Sequence, residues 1–272
     1  MTRTIRHDGH DDDFVTRWTT WHDEYEGQRK NPYGFLAITG LHWLSDTPER
    51  FDDAPGLWWS DQRGVHVNVT DGEVLVVDGE SVRGEFNFGR VDPRGRRASF
   101  DDVEVEIASR DGLDIIRPRS PSNATLAHYT GTPTFAPSPR WALTGHFARL
   151  DTPRAIEVGA TVEGLAHVYE SPGVVEFELE GQSQTLTAFN GETPYELFFI
   201  FTDATSGSST YAACRFLSVN APDDEVNVTL DFNRATNPPC AYTDFATCPL
   251  PPAGNHLSVA IEAGEMLPTV HG

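Results

Sequence analysis

The stretch LAHVYESPGVVEFELEGQSQTLTAFNGETPYELFFIF (165–201) decides the fold of this chain of 272 residues. It holds four short runs of alternating or continuous apolar residues, at 165–169, 174–179, 184–188 and 195–201, with Gly, Pro and Asn between them. Such runs are typical of β-strands, and the residues between them are typical of turns. Because the gaps are short enough for hairpins, neighbouring strands are predicted to be antiparallel.

The same pattern continues on both sides of this stretch. Further strands are predicted at 64–69, 74–77, 84–88, 103–108 and 113–116 and, beyond a Pro-rich bridge at 117–139, at 141–150, 154–162, 211–219 and 226–232. Arg110-Asp111-Gly112 indicates a hairpin turn between two of them. Because no segment of helical period separates the strands, a parallel βαβ fold is disfavoured. The sequence predicts a mainly β fold, an antiparallel barrel or sandwich.

One helix is predicted, at the N-terminal end over residues 12–29. Three aspartates at 11–13 suit a helix N-terminus, and 31–34 (NPYG) ends the helix. Its aromatic side chains recur at helical spacing, which makes the helix amphipathic: Phe14, Trp18, Trp21 and Tyr25. This stripe could be a ligand platform, but packing against a core is the favoured interpretation.

Three parts are predicted along the chain. Residues 1–50 hold the N-terminal helix and a signature loop, and residues 51–120 form a smaller β module. Residues 121–272 form the main antiparallel β domain. The smaller module thus precedes the main domain.

The charge balance is strongly acidic. The chain has 41 acidic and 20 basic residues, a net charge of −21, and Lys30 is its single lysine beside 19 arginines. In concentrated salt the Debye length falls to about 3 Å, so a surface of this charge repels itself only weakly. We therefore predict a halophilic protein, the alternative being an ordinary acidic protein from a GC-rich genome. The negative electrostatic field of this surface argues against nucleic acid as a partner, since nucleic acid is also negatively charged.

The location of the protein is predicted from what the sequence lacks. No run approaches 18 apolar residues, and the first residues have no apolar core of a secretory signal. We expect a soluble cytoplasmic protein with no membrane partner. In that compartment the three cysteines are expected to be reduced.

Several phrases in the second half resemble a known family. They are LFFIFTDATSG (197–207), RFL (215–217), LDFNRATNPPCAY (230–242), ATCPLPP (246–252) and AGE (263–265), with GLHWL (40–44) upstream. On these the chain is identified as a member of the domain of unknown function 1684 family and, with its composition, as a haloarchaeal-type member. That family has no established activity, so the resemblance implies no catalytic residue.

A polar cluster in the main β domain is the candidate ligand site. Alternation along 211–219 places Tyr211 and Arg215 on one strand face, and Asp231 and Asn233 share a face of another strand. If Arg215 and Asp231 point inward as an ion pair, they could orient a ligand in a barrel cavity or merely join two strands, and we rate these alternatives equal. The Pro-rich loop predicted to cover the site contributes Asn237, Cys240, Cys248 and Asn255.

Two other patterns favour structure over chemistry. Cys240, Cys248 and His256 suggest zinc, but they lack paired spacing and a fourth ligand, so no metal and no cofactor is predicted. A disulfide or two packed thiols is favoured instead, with packed thiols preferred. The sequence 203–207 (DATSG) resembles a nucleophile turn, but a hairpin loop whose Asp and Thr bond their own backbone is the favoured interpretation.

Three functions follow from these observations. The first is binding of a small molecule in a polar-lined β cavity. The second is a hydrolase or lyase that uses Asp231 or Glu265 as base and Arg215 as anion clamp. The third is a structural or interaction protein without a ligand.

Overall fold

The structure is a computed structural model that describes residues 8–222 and 226–271. Two α-helices lie in these ranges, α1 (Asp8–Arg29) and α2 (Ala124–His128). The strands of the first half are β1 (His42–Trp43), β2 (Glu49–Phe51), β3 (Ala54–Asp61), β4 (Gly64–Val69), β5 (Leu75–Val77), β6 (Glu80–Val82), β7 (Gly84–Gly89), β8 (Arg96–Phe100), β9 (Val103–Arg110) and β10 (Leu113–Arg119). Those of the second half are β11 (Ala142–Gly159), β12 (Ala166–Leu179), β13 (Gln182–Asn190), β14 (Glu196–Phe201), β15 (Arg215–Asn220) and β16 (Asn227–Asp231).

These elements fall into two compact units. The larger unit comprises 8–27, Thr130–Ala241 and Thr247–His271, and the smaller one comprises Gln28–Tyr129 and Tyr242–Ala246. The predicted division of the chain into three parts (1–50, 51–120 and 121–272) stays a prediction. No helix within the described residues is long and apolar enough to cross a membrane.

The larger unit is built on one antiparallel sheet in the order β15-β14-β13-β12-β11-β16. Beyond the end of β16, Thr236 exchanges backbone hydrogen bonds of 2.8 and 2.9 Å with Phe216 of β15. This contact brings the two outer strands together into a nearly closed barrel. A buried cluster fills it with Val, Leu and aromatic side chains, among them Phe177, Phe199 and Phe232. The predicted mainly β, antiparallel fold is confirmed.

Two pairs of predicted strands are single long strands. The runs 141–150 and 154–162 belong to β11, and 165–169 and 174–179 belong to β12. The register between β11 and β12 shifts between Arg149 and Arg154, where Pro153 lies in one strand and Pro172 in the other. A bulge accommodates prolines without ending a strand, so they mark an irregularity here and not a turn.

The smaller unit consists of two antiparallel sheets, β1-β10-β9-β8-β5-β6 and β2-β3-β4-β7. Trp58, Val67, Leu75 and Ile107 lie in its buried core. The predicted hairpin between β9 and β10 is present, because Arg110 pairs with Leu113 across Asp111 and Gly112. Both turn residues have positive φ, 50° and 78°, which a two-residue type I′ turn requires.

The N-terminal helix is confirmed, and it starts at Asp8 where residue 12 was predicted. Trp18 is buried and its Nε1 donates to the carbonyl oxygen of Asn233 at 2.7 Å. The rings of Trp21 and Tyr25 stack, and the guanidinium of Arg234 lies 5.1 Å from the centre of the Trp21 ring. The aromatic stripe thus packs against its own unit, as favoured.

Candidate functional site

Arg215 lies at the start of β15 with no solvent exposure. Its Nη2 donates to Asp203 Oδ2 at 2.6 Å and to Ile261 O at 3.1 Å, and its Nη1 donates to Ala263 O at 2.5 Å. Burial lowers the pKa of Arg215, while the charges of Asp203 and Glu265 oppose that effect. This guanidinium is therefore held by protein acceptors on three sides.

The expected pairing of Arg215 with Asp231 is wrong. Asp231 Oδ1 accepts from the backbone N of Asn233 at 3.2 Å and from its Nδ2 at 2.8 Å, and Oδ2 lies 3.5 Å from Arg234 Nε. The chain turns into a 3₁₀ helix at Phe232–Arg234. Asp231 caps that helix, so its carboxylate is engaged by the helix and does not contact Arg215 of β15.

Asn233 and Tyr211 also have local partners. Asn233 is buried and exchanges hydrogen bonds of 2.9 Å with the backbone N and O of Ser138. Tyr211 precedes β15, so the predicted strand face that it shares with Arg215 does not exist. Its hydroxyl donates to the carbonyl oxygen of Cys240 at 2.9 Å. The predicted ligand-binding role of these residues stays a prediction.

The predicted loop residues fasten backbone segments together. Asn255, with no exposure, accepts from Thr187 N at 2.7 Å and donates to Thr187 O and Ile200 O at 3.0 and 2.9 Å. It thereby replaces ladder bonds between β13 and β14, which pair only at two register positions. Asn237 N donates to Glu265 Oε2 at 2.6 Å.

Cys240 and Cys248 lie against each other in this loop. The backbone N–H of Cys240 donates to Cys248 Sγ at 3.2 Å, and the three cysteines are free thiols, as preferred from the sequence. His256 bonds Thr202 Oγ1 through Nδ1 at 2.9 Å. Within the described ranges no group of three or more His, Cys, Asp or Glu is arranged to hold a metal.

The loop at 203–207 has the expected self-bonded form. Asp203 Oδ1 accepts from Thr205 N at 2.8 Å, from Thr205 Oγ1 at 2.7 Å and from Ile261 N at 3.1 Å. The other oxygen of Asp203, Oδ2, accepts the hydrogen bond from Arg215 Nη2. The predicted bond to the loop's own backbone is confirmed for Asp203, whereas the Thr205 hydroxyl bonds the side chains of Asp203 and Thr210. Asp203 is also the partner of Arg215, a role that the sequence interpretation gave to Asp231.

A second charged cluster, missed in the sequence, lies in the smaller unit. We call Arg110, Arg117, Arg119 and Glu106 the arginine clamp. Glu106 Oε1 accepts from Arg110 Nη2 at 2.9 Å and from Arg117 Nη2 at 2.6 Å. Oε2 accepts from Arg117 Nε at 3.2 Å and from Arg119 Nη2. One carboxylate therefore receives three guanidinium groups.

The arginine clamp carries an excess of positive charge away from water. Its four side chains are each 9 to 11% exposed. Burial raises the pKa of Glu106, but Arg117 and Arg119 outweigh burial and hold it at about 2. Burial lowers the pKa of Arg110 and of Arg119, and the charge of Arg117 lowers both further. Glu106 stays ionised and cancels only one of three positive charges.

One buried donor of the arginine clamp lacks an acceptor. In the part of the chain that the structure describes, Arg119 Nε is buried without an acceptor. The other hydrogen bonds of the arginines run to backbone carbonyls, from Arg110 to Pro93 at 2.8 Å and from Arg119 to Tyr33 at 3.1 Å. Arg215 Nε is likewise buried without an acceptor, so the clamp differs from the Arg215 environment by its surplus of positive charge and not by its free donor.

The signature GLHWL (40–44) positions a His–Asp pair. His42 Nε2 lies 2.7 Å from Asp53 Oδ1, and Thr39 Oγ1 donates to Asp53 Oδ2 at 2.9 Å. Burial raises the pKa of Asp53, yet these hydrogen bonds keep it below its usual range. A Cβ on Gly40 would lie 2.6 Å from Asp53 Oδ2, so a larger residue at this position would displace the Asp53 carboxylate from the pair.

Open space of about 430 Å³ lies elsewhere in the smaller unit. This cleft is lined in part by Arg50, Phe51, Glu73, Phe100 and Asp101. Arg50 and Glu73 pair at 2.8 Å. None of the predicted site residues lines the cleft.

Comparison with known proteins identifies the family. The model of "Protein of unknown function (DUF1684)" matches residues 127–266, just over half of the chain. The chain belongs to the DUF1684 family. A solution NMR structure of an uncharacterized protein from Haloarcula marismortui is 32% identical, with a TM-score of 0.44, over 52% of this chain and 78% of that one. No curated protein matches.

The predicted family is thereby confirmed. Of the polar clusters described above, some lie inside the DUF1684 match and others lie outside it. Arg215, Asp203, Cys240, Cys248 and Asn255 lie inside the matched residues, whereas the arginine clamp precedes them. The clamp was overlooked because Glu106 lies in the strand predicted at 103–108, whereas Arg117 was assigned to the Pro-rich bridge at 117–139. The Asp111-Gly112 turn was the available signal, since a two-residue hairpin places these residues opposite each other.

Proposed function

We propose that this DUF1684 protein binds a small anionic molecule, one that carries a carboxylate or phosphate group, at the arginine clamp. The observation that supports this most is that three guanidinium groups share Glu106 as their carboxylate. Planar guanidinium groups bind carboxylate and phosphate oxygens through paired hydrogen bonds.

The charge of the clamp supports an anion as the missing partner. Three arginines and one glutamate leave a surplus of two positive charges on side chains that are about nine-tenths buried. Unpaired charge in a poorly solvated place is unfavourable. A bound anion relieves that repulsion, and the buried Nε of Arg119 offers it a donor.

The geometry gives base catalysis less support. The alternative of a hydrolase or lyase needs Asp231 or Glu265 as a base near Arg215. Asp231 accepts from Asn233, and Glu265 Oε2 accepts from Asn237 at 2.6 Å. Both carboxylates therefore already serve as acceptors within the fold, and binding is the function that we propose.

The test is calorimetric titration with inorganic phosphate and, separately, with citrate, at constant ionic strength. We expect saturable binding of at least one anion and at least about tenfold weaker binding by Arg117→Gln. Arg63→Gln is the matched control, because Arg63 is 68% exposed and pairs with Asp61. Its affinity should equal that of the parent protein.

The two titrations also separate the ligand classes. Citrate alone points to carboxylates, and phosphate alone to phosphorylated molecules. Absence of saturable binding for both anions, or equal losses in Arg117→Gln and Arg63→Gln, would overturn the proposal. Near-ultraviolet circular dichroism verifies that each variant is folded before its titration is interpreted.

A further inference from the structure

The thiols of Cys240 and Cys248, which we call the thiol pair, are placed for a reaction with each other. Cys248 Sγ accepts from the backbone N–H of Cys240 at 3.2 Å. Disulfides join residues whose Cα atoms are about 4.4 to 6.8 Å apart. A sulfur atom in contact with the backbone of its partner residue is consistent with that spacing.

The surroundings give the two sulfur atoms different roles. Hydrogen bonding from Cys248 lowers the pKa of Cys240, with burial opposing it and with Tyr211 and Thr161 adding hydrogen bonds. The same contact with Cys240, together with burial, raises the pKa of Cys248. Of the two, Cys240 is therefore the cysteine that ionises more readily. The thiolate is the nucleophilic form of cysteine.

Cys214, the third thiol, is set apart from this chemistry. It has no exposure, and its Sγ lies 3.5 Å from the carbonyl oxygen of Pro249. Burial, with a smaller effect of Cys240, raises its pKa strongly. A buried thiol without a thiolate form is inert, so Cys214 serves as an internal control.

From this geometry we infer that Cys240 and Cys248 are a site of reversible oxidation to a disulfide by hydroperoxides. Each residue is 6% exposed, which admits a small oxidant more readily than a bulky disulfide reagent. This inference is independent of anion binding at the arginine clamp.

The reaction balances in two steps. The Cys240 thiolate attacks one oxygen of the hydroperoxide, an S–O bond forms and the O–O bond breaks. The leaving hydroxide (or alkoxide) takes from the solvent the proton that Cys240 released on ionising. Cys248 sulfur then attacks Cys240 sulfur, the S–S bond forms, the S–O bond breaks, and the leaving hydroxide accepts the Cys248 proton as water. The dithiol loses two electrons, and the peroxide gains them. A reducing dithiol reverses the change by exchange.

The disulfide would link two residues on either side of the segment Tyr242–Ala246 and so make that segment part of a covalent ring. Tyr242 in that segment has no exposure, and the guanidinium of Arg29 lies 5.0 Å from its ring centre. Oxidation would therefore link the two ends of a segment whose Tyr242 packs against the guanidinium of Arg29. This is a covalent modification within the DUF1684 match.

The experiment counts thiols and maps the link. The folded protein is treated with hydrogen peroxide, denatured, and titrated with Ellman's reagent, and a parallel sample is digested without reductant for mass spectrometry. We expect the count to fall from three thiols to one, a loss of two hydrogen atoms in mass, and one linked pair of peptides that contain Cys240 and Cys248. Dithiothreitol should restore all three thiols.

Variants assign the two roles. Cys248→Ser should stop at a sulfenic acid on Cys240 that dimedone traps, whereas Cys240→Ser should keep both remaining thiols. Cys214→Ser is the matched control and should still form the link. Three thiols after peroxide treatment, a link that involves Cys214, or a loss of thiols that dithiothreitol does not reverse would contradict the inference. If a serine variant fails to fold, the peptide map of the unmodified sequence still decides the result.

Discussion

Arg215 Nη2 donates to Asp203 Oδ2 at 2.6 Å, and neither side chain has any solvent exposure. Removal of one partner of such a pair leaves an unpaired buried charge and costs about 3 to 5 kcal/mol. We therefore expect Arg215→Met to lower the free energy of unfolding by about that amount. Adding Asp203→Asn, which removes the second charge and keeps an acceptor for Thr205, should restore much of the loss. Urea unfolding of both variants measures the coupling.

The control for this cycle is Asp231→Asn. Asp231 and Arg234 are 19% and 40% exposed and lie 3.5 Å apart, so their pairing contributes at most about 1 kcal/mol. If the double variant were as unstable as Arg215→Met, the pair would not be coupled as the distance indicates. If an anion bound by the parent protein were lost in the folded double variant, the predicted role of Arg215 in ligand binding would gain support.

Glu106 predicts an acid dependence of stability. Its pKa is about 2 in the folded protein against an ordinary value of 4.5, so its contribution is present above pH 4.5 and disappears as the pH falls toward 2. The full difference corresponds to about 3 kcal/mol. Glu106→Gln should therefore be less stable than the parent protein at pH 6, with a gap that narrows at pH 3.

Urea unfolding at both pH values measures that gap. Glu80→Gln, an exposed glutamate of β6, is the control and should show no comparable change. A gap for Glu106→Gln that is equal at pH 6 and pH 3 would show that the three arginines do not depend on the charge of this carboxylate.

The net charge of −21 predicts a dependence on salt. Lowering the KCl concentration from about 1 M to 0.1 M lengthens the Debye length from about 3 to 10 Å, so the acidic surface repels itself more strongly. The thermal midpoint should fall as KCl is removed. Scanning calorimetry over a KCl series tests this, and a midpoint that is constant or rises on dilution contradicts the halophilic interpretation.

Zinc content is expected to be below one ion per chain. Cys240 and Cys248 contact each other, but His256 bonds Thr202, which leaves the pair short of the four ligands of a structural zinc site. Melting curves with and without EDTA should coincide. Elemental analysis that finds one zinc per purified chain, together with a lower midpoint in EDTA, would refute this expectation.

The strand pattern could be predicted where alternation is local. The runs that became β4, β9 and β14 stand out because each combines β-branched or aromatic residues with turn residues at its ends. β3 was missed, since Pro55 and Gly56 interrupt it, and β8 was missed because it begins with two arginines. β3 pairs with β2 and β4, and β8 pairs with β5 and β9, and this cross-strand pairing overrides a weak local preference.

The site was predicted less well, because a charge pair depends on which strands meet. Asp203 and Asp231 are both acidic residues at strand ends, and neither spacing nor alternation separates them as partners of Arg215. Asp203 is selected by the loop at 203–207, which orients its carboxylate by bonds to Thr205. The turn that brings Glu106 opposite Arg117, in contrast, was present in the predicted hairpin and could have revealed the arginine clamp.

The backbone contact between Phe216 and Thr236 has a consequence for aggregation. A strand at the margin of a sheet presents unpaired N–H and C=O groups, which can template a strand of another molecule. At this position those groups of β15 are occupied by Thr236 from the same chain. The larger unit thereby protects part of its open edge from the addition of a strand of another molecule.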